Sequence, residues 1–433
     1  MDFAKAKQAI RQCETIASRG KIDKVIGLTV EAVGLAAGIG EICKIYTVDG
    51  GYILSEVVGF RNDRAIIIPY DNLCSVAPGS YVEAVKNVLE INVGPQLQGR
   101  ILDGLGSPID GLGDIENTVR YSVNGTPVNP LARPRVTEPI YMGVKAIDSL
   151  LTCAKGQRMG IFSGSGVGKS TLLGMIAQNV QADINVIALI GERGREVKEF
   201  IEKDLGPEGM KRSVVVVATS DQPAMVRLKC AFVATAIAEY FKDCGKNVVL
   251  LMDSLTRFAM AQREIGLATG EPPVARGYTP SVYSLMPRLL ERSGNFETGS
   301  ITALYTVLVE GDDVNEPISD TVRGILDGHI VLSRSIAMRN HYPAIDILAS
   351  ISRIMNDIVS DDHLQMANTM RQYLSVYYQN YDLISIGAYK SGTNKALDEA
   401  ISKIDKINKF LCQKKDTDFP FEKTLELMGQ ALA

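Results

Sequence analysis

Ser163-Gly164-Ser165-Gly166-Val167-Gly168-Lys169-Ser170 lies between an apolar run, Met159–Phe162, and a stretch of helical periodicity, Thr171–Val180. Strand, glycine loop and helix in that order form a phosphate-binding loop: glycines let backbone N–H groups turn inward around anionic oxygens, and the helix N-terminus adds partial positive charge. Ser165, Gly166, Val167, Gly168, Lys169, Ser170 and Thr171 are read as the nucleotide-contacting stretch. Lys169 is placed to reach the β- and γ-phosphates of ATP, and the Ser170 hydroxyl to ligate Mg²⁺. The pattern Gly-x-x-x-x-Gly-Lys-Ser is missed at its first position, where Ser163 stands. That position tolerates a small side chain better than the inner glycines do.

Working outward, apolar runs alternate with helical segments: Met159–Ser163, Val186–Ile190, Val214–Ala218, Val248–Met252, Thr302–Val309 and His329–Ser333. Continuous Val/Ile/Leu runs of this kind are strands buried on both faces, so the expected fold class is α/β with a mainly parallel sheet. Ligands sit beyond the carboxyl ends of such strands, which should bring the residues after the runs to one edge. Asp253 follows Val248–Met252 and suits a Mg²⁺ site; equally, Asp253 or Ser254 can cap the helix beginning at Leu255. Glu192 follows Val186–Ile190 and suits a base that orients and deprotonates water, or else a salt bridge to Arg193 or Arg195. Arg193 is a further candidate for the γ-phosphate. By composition alone, Arg353 is an arginine near a helix start and Tyr342 a core aromatic.

The flanks differ in pattern. Residues 1–22 carry Phe3, Ala6, Ile10, Cys13 and Ala17 at helical spacing, with Gly20 as the stop; the helix either packs on its own domain or docks a partner. Short β-rich runs over 23–92, namely Val25–Val33, Glu41–Thr47, Tyr52–Phe60, Arg64–Pro69 and Tyr81–Ala84, predict a small β-barrel. A connector rich in glycine and proline follows, with Asp103-Gly104-Leu105-Gly106 recurring as Asp110-Gly111-Leu112-Gly113. The nucleotide domain is expected over 93–355 and a helical domain over 356–433, where Leu397, Ile401, Ile404, Ile407 and Leu411 form one stripe.

Bulk properties narrow the function. The 433 residues are 46% hydrophobic and 22% charged, as in a soluble globular chain of several domains. A net charge of −4 lacks the basic footprint of a nucleic-acid binder, so no nucleic-acid partner is expected. Seven scattered cysteines without a Cys-x-x-Cys pair fit a reducing cytoplasm and no zinc site. His329, His341 and His363 are not at metal-ligand spacing. The N-terminus lacks the apolar core of a signal peptide, and no segment has the ~18 apolar residues of a membrane span.

From about Gln98 onward the chain resembles the α/β family of rotary-ATPase-like proteins, and within it the ATPases of type III protein export. The segments that carry the likeness are Gly191–Val197, Asp253–Glu264, Gly299–Leu308 and Ile325–Ile330; Gln222–Leu228 and Ile386–Gly392 favour the flagellar branch. Residues 343–352 meet the signature Pro-Ala-Ile-Asp-x-x-x-Ser-x-Ser. The resemblance implies that Arg353 completes a neighbouring subunit's site as an arginine finger and that Tyr342 stacks on adenine. It implies a barrel, a RecA-like P-loop core and a helical domain assembled as a homohexamer. ATP hydrolysis with Mg²⁺ would energise or prime export of flagellar proteins.

The resemblance also implies partners: a stator-type regulator, a central stalk protein, export chaperones with their flagellar substrates, and a membrane export gate. The location implied is cytoplasmic, peripheral to the inner face of the membrane at the flagellar base. Alternatives are the ATPase of a non-flagellar type III secretion system, a rotary ATP synthase catalytic subunit, a hexameric RNA helicase and a non-catalytic nucleotide-binding subunit. Glu192 argues against the last, and the acidic balance without an aromatic, basic platform argues against the helicase.

Overall fold

The computed structural model describes residues 18–125, 129–309 and 316–433. Six strands, β1 (Arg19–Ile26), β2 (Thr29–Val33), β3 (Glu41–Tyr46), β4 (Tyr52–Arg61), β5 (Arg64–Pro69) and β6 (Tyr81–Val88), close into a barrel in the order β1-β2-β5-β4-β3-β6. Alternation places Ile22, Val30, Ile45, Val57, Ile67 and Val82 inside. The run Val25–Val33 is two strands rather than one: Ile26 pairs with Thr29 across a two-residue turn whose Gly27 has φ 57°. The helix expected over 1–22 lies outside the described residues up to 17, and its last residues, from Arg19, are strand β1 instead. Gly20, expected as its stop, lies inside β1, where an added Cβ would sit 2.7 Å from the Val33 carbonyl oxygen.

Beyond the barrel, β7 (Glu90–Val93) pairs with β9 (Val119–Ser122), and between them β8 (Ile101–Asp103) joins the main sheet. A two-stranded ribbon, β10 (Pro139–Ile140) with β11 (Cys153–Ala154), precedes the nucleotide core. That core contains β12 (Arg158–Ser163), β13 (Ile184–Glu192), β14 (Ser213–Thr219), β15 (Asn247–Asp253), β16 (Gly294–Asn295), β17 (Ser300–Leu308), β18 (Gly328–Leu332) and β19 (Ile345–Ser352). The spatial order is β19-β18-β12-β17-β15-β13-β14-β8; every neighbouring pair from β18 to β8 is parallel and β19 is antiparallel, while short β16 pairs with β17.

Helices cover both faces of this sheet, as its apolar runs require. Ala224–Asp243 buries Ala231, Ala234 and Ala238 against one face, and Lys169–Asn179 buries Leu172, Leu173 and Ile176 against the other. The C-terminal region is helical, with Asp361–Gln379, Lys395–Leu411 and Phe421–Leu432 packed together. It docks through Phe421, stacked on Tyr141 at 3.8 Å between ring centres, and through Gln413, which accepts from the Lys145 amide at 2.8 Å and donates to the Gly143 carbonyl at 2.8 Å. The barrel is tied to the core by a buried ion pair, Lys229 with Glu56 at 2.7 Å, the carboxylate also accepting from the Tyr70 phenol. His329 and His363 are spent on backbone contacts, to Ala349 and Ser149 oxygens at 3.1 and 2.7 Å. Among the described residues, no helix is long and apolar enough to cross a membrane.

Candidate nucleotide site

The loop leaves β12 at Ser163 and enters the helix Lys169–Asn179 through Gly168. Gly166 and Gly168 have φ 76° and 90°, which L side chains rarely adopt. Gly168 offers no side-chain cap, so the first N–H groups of an eleven-residue helix face the loop's concavity. That concavity is a cavity of about 700 Å³ at the carboxyl edge of the sheet, within the size range of ligand sites. Ser165, Gly166, Gly168, Lys169, Ser170 and Thr171 line it. Val167 does not; its side chain is 1% exposed in the hydrophobic core and pins the loop from behind.

Three charged groups from three segments converge there. Lys169 Nζ donates to Asp253 Oδ1 at 2.5 Å and lies 3.7 Å from Glu192 Oε1. Thr306, on β17 between β12 and β15, donates its hydroxyl to the same Asp253 oxygen at 2.7 Å. Ser254 caps the following helix by accepting from the Arg257 amide, so Asp253 is not the cap and turns to Lys169. Neither neighbouring arginine holds Glu192: Arg193 pairs with Glu196 at 3.5 Å and Arg195 with Glu199 at 3.8 Å. Glu192 Oε1 is buried without a hydrogen-bond partner in the chain, and Lys169 at 3.7 Å is its ion-pair neighbour. Burial pushes the Glu192 carboxyl up to about 7; the Asp253 charge adds to this, while Lys169 and Arg257 oppose it.

The remaining candidates fall in two places. Arg193, its side chain 82% exposed, stands at the cavity's mouth. Tyr342 is brought to the loop from far along the chain: a methyl group on Gly168 would lie 3.6 Å from its ring. Its carbonyl accepts from the Gln413 amide at 2.9 Å, which links this corner to the helical domain. Arg353 is at the other end. Because β19 runs antiparallel, Ser352 pairs with Gly328 at the start of β18, and Gly328 pairs with Met159 near the start of β12. From Met159 to Ser163 a strand spans about 13 Å. Arg353 is exposed, with its guanidinium at the Arg323 carbonyl, away from its own chain's loop.

Two residues of the site were not singled out from the sequence. Thr306 is one of three buried Ser/Thr residues of β17, with Ser300 and Thr302, so the sequence did not set it apart. Arg257 gave no signal either; its side chain packs over Gly191, and its Nε is buried without a hydrogen-bond partner on the cavity wall. A phosphate chain fits this donor set: glycine-lined backbone amides, Lys169 and Arg257. Among the described residues no three His, Cys, Asp or Glu converge as a metal cage. Mg²⁺ bound with nucleotide needs only one or two protein oxygens, and Ser170 and Asp253 are the residues here that would hold it.

A glycine loop feeding a helix, with carboxylates at the ends of neighbouring parallel strands, defines a P-loop nucleotide-binding protein. Family models refine this: the ATP synthase alpha/beta family matches at residues 143–352 with its nucleotide-binding domain and at 22–86 with its beta-barrel domain. The T3SS EscN ATPase C-terminal domain matches at 359–430. The chain is 57% identical over 403 residues to the flagellum-specific ATP synthase of Bacillus subtilis, covering 93% of this chain and 92% of that one. It is 50% identical over 410 residues to the type 3 secretion system ATPase of Xanthomonas euvesicatoria, covering 94% and 93%. The assembled ATPase EscN from the enteropathogenic E. coli type III secretion system superposes with a TM-score of 0.91 at 46% identity, over 96% of this chain and 100% of that one. EscN in complex with its central stalk EscO gives 0.88 at 44%, over the same shares. The chain belongs to the ATP synthase alpha/beta family.

Proposed function

We propose that this chain hydrolyses ATP to ADP and phosphate as a subunit of a homo-oligomeric ring, a hexamer, that energises or primes type III protein export. The observation that carries hydrolysis rather than binding alone is Glu192, its buried oxygen lacking a hydrogen-bond partner 3.7 Å from Lys169 in a glycine-lined cavity. The loop amides and Lys169 hold the phosphate chain, and Tyr342 stacks on the adenine. Ser170 and Asp253 hold Mg²⁺, which when bound neutralises charge on the phosphate oxygens. Thr306 fixes the Asp253 oxygen nearest Lys169. Glu192 orients water and takes its proton, for which a carboxyl raised toward neutrality is suited. Arg257 faces the transferred phosphate from the cavity wall, and Arg193 from its mouth.

Arg353 belongs to the next subunit's site. Its position at the far edge of its own sheet supports action in trans, which is worth on the order of 10³ to 10⁵ in rate for arginine fingers. Changing Glu192→Gln should leave ATP binding within a few-fold of wild type and lower turnover by ~10²-fold or more. Full turnover in that variant removes Glu192 from the role.

We read the exported cargo as flagellar on the 57% identity to the Bacillus subtilis flagellum-specific protein; other flagellum-specific relatives, at 47–50%, overlap the secretion-system ATPases at 45–50%. The partners on this reading are a stator-type regulator, a central stalk protein, chaperones with flagellar substrates, and a membrane export gate reached from the cytoplasmic side. Deleting the gene should abolish filaments and motility; normal flagella in the deletion strain would sink the flagellar reading.

A further inference from the structure

Gln157 immediately precedes β12 and is fully buried, yet nothing in the nucleotide cavity touches it. Its amide oxygen accepts from the Ala154 amide at 2.9 Å. Its amide nitrogen lies 3.1 Å from Ser352 Oγ and 3.3 Å from the Asp327 carbonyl oxygen. Ser352 in turn donates its hydroxyl to the Thr152 carbonyl at 2.8 Å, and the Asp327 carbonyl also accepts from the backbone amide of Arg353 at 3.1 Å. The Gln157 amide nitrogen has a third acceptor, Met159 Sδ at 3.2 Å on β12 itself, and the other two bear on Arg353, Ser352 as its chain neighbour and the Asp327 carbonyl as its backbone partner. The packing leaves no slack: a Cβ on Gly328 would lie 2.5 Å from the Ile351 carbonyl oxygen and 2.6 Å from Met159 Sδ. An apolar side chain would fill the same space without fixing direction, whereas a fully committed buried amide specifies one geometry.

We propose that Gln157 is a positioning residue for Arg353, so that β12 carries the phosphate loop of one site at its end and holds the arginine of the next site at its start. The proposal rests on reading Arg353 as acting on a neighbouring subunit. A strand is stiff along its length, so any displacement of the loop would be passed along β12 to Gln157 and from there to this chain's own Arg353, which faces the neighbour's site. Successive sites around the ring are thereby linked through one six-residue strand.

The test uses the purified full-length chain with Gln157→Met, which keeps volume but removes the amide, and Ser352→Ala as a gentler change at the same contact. Each should lower kcat by roughly tenfold to a hundredfold while a fluorescent ATP analogue binds within twofold of wild type. Combined with Arg353→Ala, Gln157→Met should add no further loss, because it acts through a group already absent. Mixed with Lys169→Ala subunits, both Gln157→Met and Arg353→Ala should regain activity, since each damages the opposite side of a shared site. Additive losses in the double variant, or recovery of Arg353→Ala but not of Gln157→Met and Ser352→Ala, overturn the inference. Failure of Arg353→Ala itself to recover overturns instead the trans reading beneath it.

Discussion

Glu192 is held near a cation that has a closer partner. Lys169 sits 1.2 Å closer to Asp253 than to Glu192, 2.5 against 3.7 Å, which leaves the second carboxyl to burial and to repulsion from the first. Two consequences follow for pH. With Glu192 as the proposed base, protonation of a carboxyl raised to about 7 should make kcat/KM fall about tenfold per pH unit on the acid side of a limb centred near 7. A limb at pH 4 to 5 in the free enzyme would contradict this. The second concerns stability. A carboxyl raised from 4.5 to about 7 contributes fully below its unfolded value, and that contribution is lost as pH rises to 7. Glu192→Gln should therefore be more stable than wild type at pH 8, on the order of 1–3 kcal/mol, with the gap closing toward pH 4. Melting curves at the two pH values check the sign.

At the scale of elements, burial decides what a sequence discloses. β14 and β15 have unbroken apolar middles, Val214–Ala218 and Val248–Met252, and were legible as strands; β8 and β19, at the sheet's two edges, were not. β8 has only three residues inside a glycine-rich connector, and β19 alternates buried with exposed positions, so neither shows a continuous run. The site divides in the same way. Lys169, Asp253 and Glu192 end apolar runs or glycine loops and were readable by position, whereas Arg257 lies on a helix where an arginine ordinarily meets solvent. Tyr342 and Arg353 drew attention only through family likeness. Between elements, the Lys229–Glu56 pair is the joint of barrel and core, both side chains about 10% exposed. Lys229→Met should cost about 3–5 kcal/mol by stranding Glu56, and adding Glu56→Gln should recover more than half. Denaturant unfolding of the single and double variants measures both.

On the proposed reading, one whole molecule carries parts of two different sites. Nine main-sheet strands place the phosphate loop at one edge and Arg353 near the other, a separation no rotamer of one chain can close. Specific ATPase activity should rise with protein concentration and level off as rings fill. Activity proportional to concentration from high dilution upward would count against a shared site. Arg353→Ala mixed with Lys169→Ala should give more activity than either alone, peaking near equal amounts, where alternating neighbours are most frequent.

The phosphate loop and Arg353 lie toward opposite ends of β12, and if Arg353 acts in trans this has a consequence for the cell's ATP supply. A chain that has not yet met its neighbours would hold nucleotide but be slow to split it, so unassembled copies would form a loaded reserve and not drain ATP. Hydrolysis would then begin where chains are gathered, and the place of assembly would become the switch.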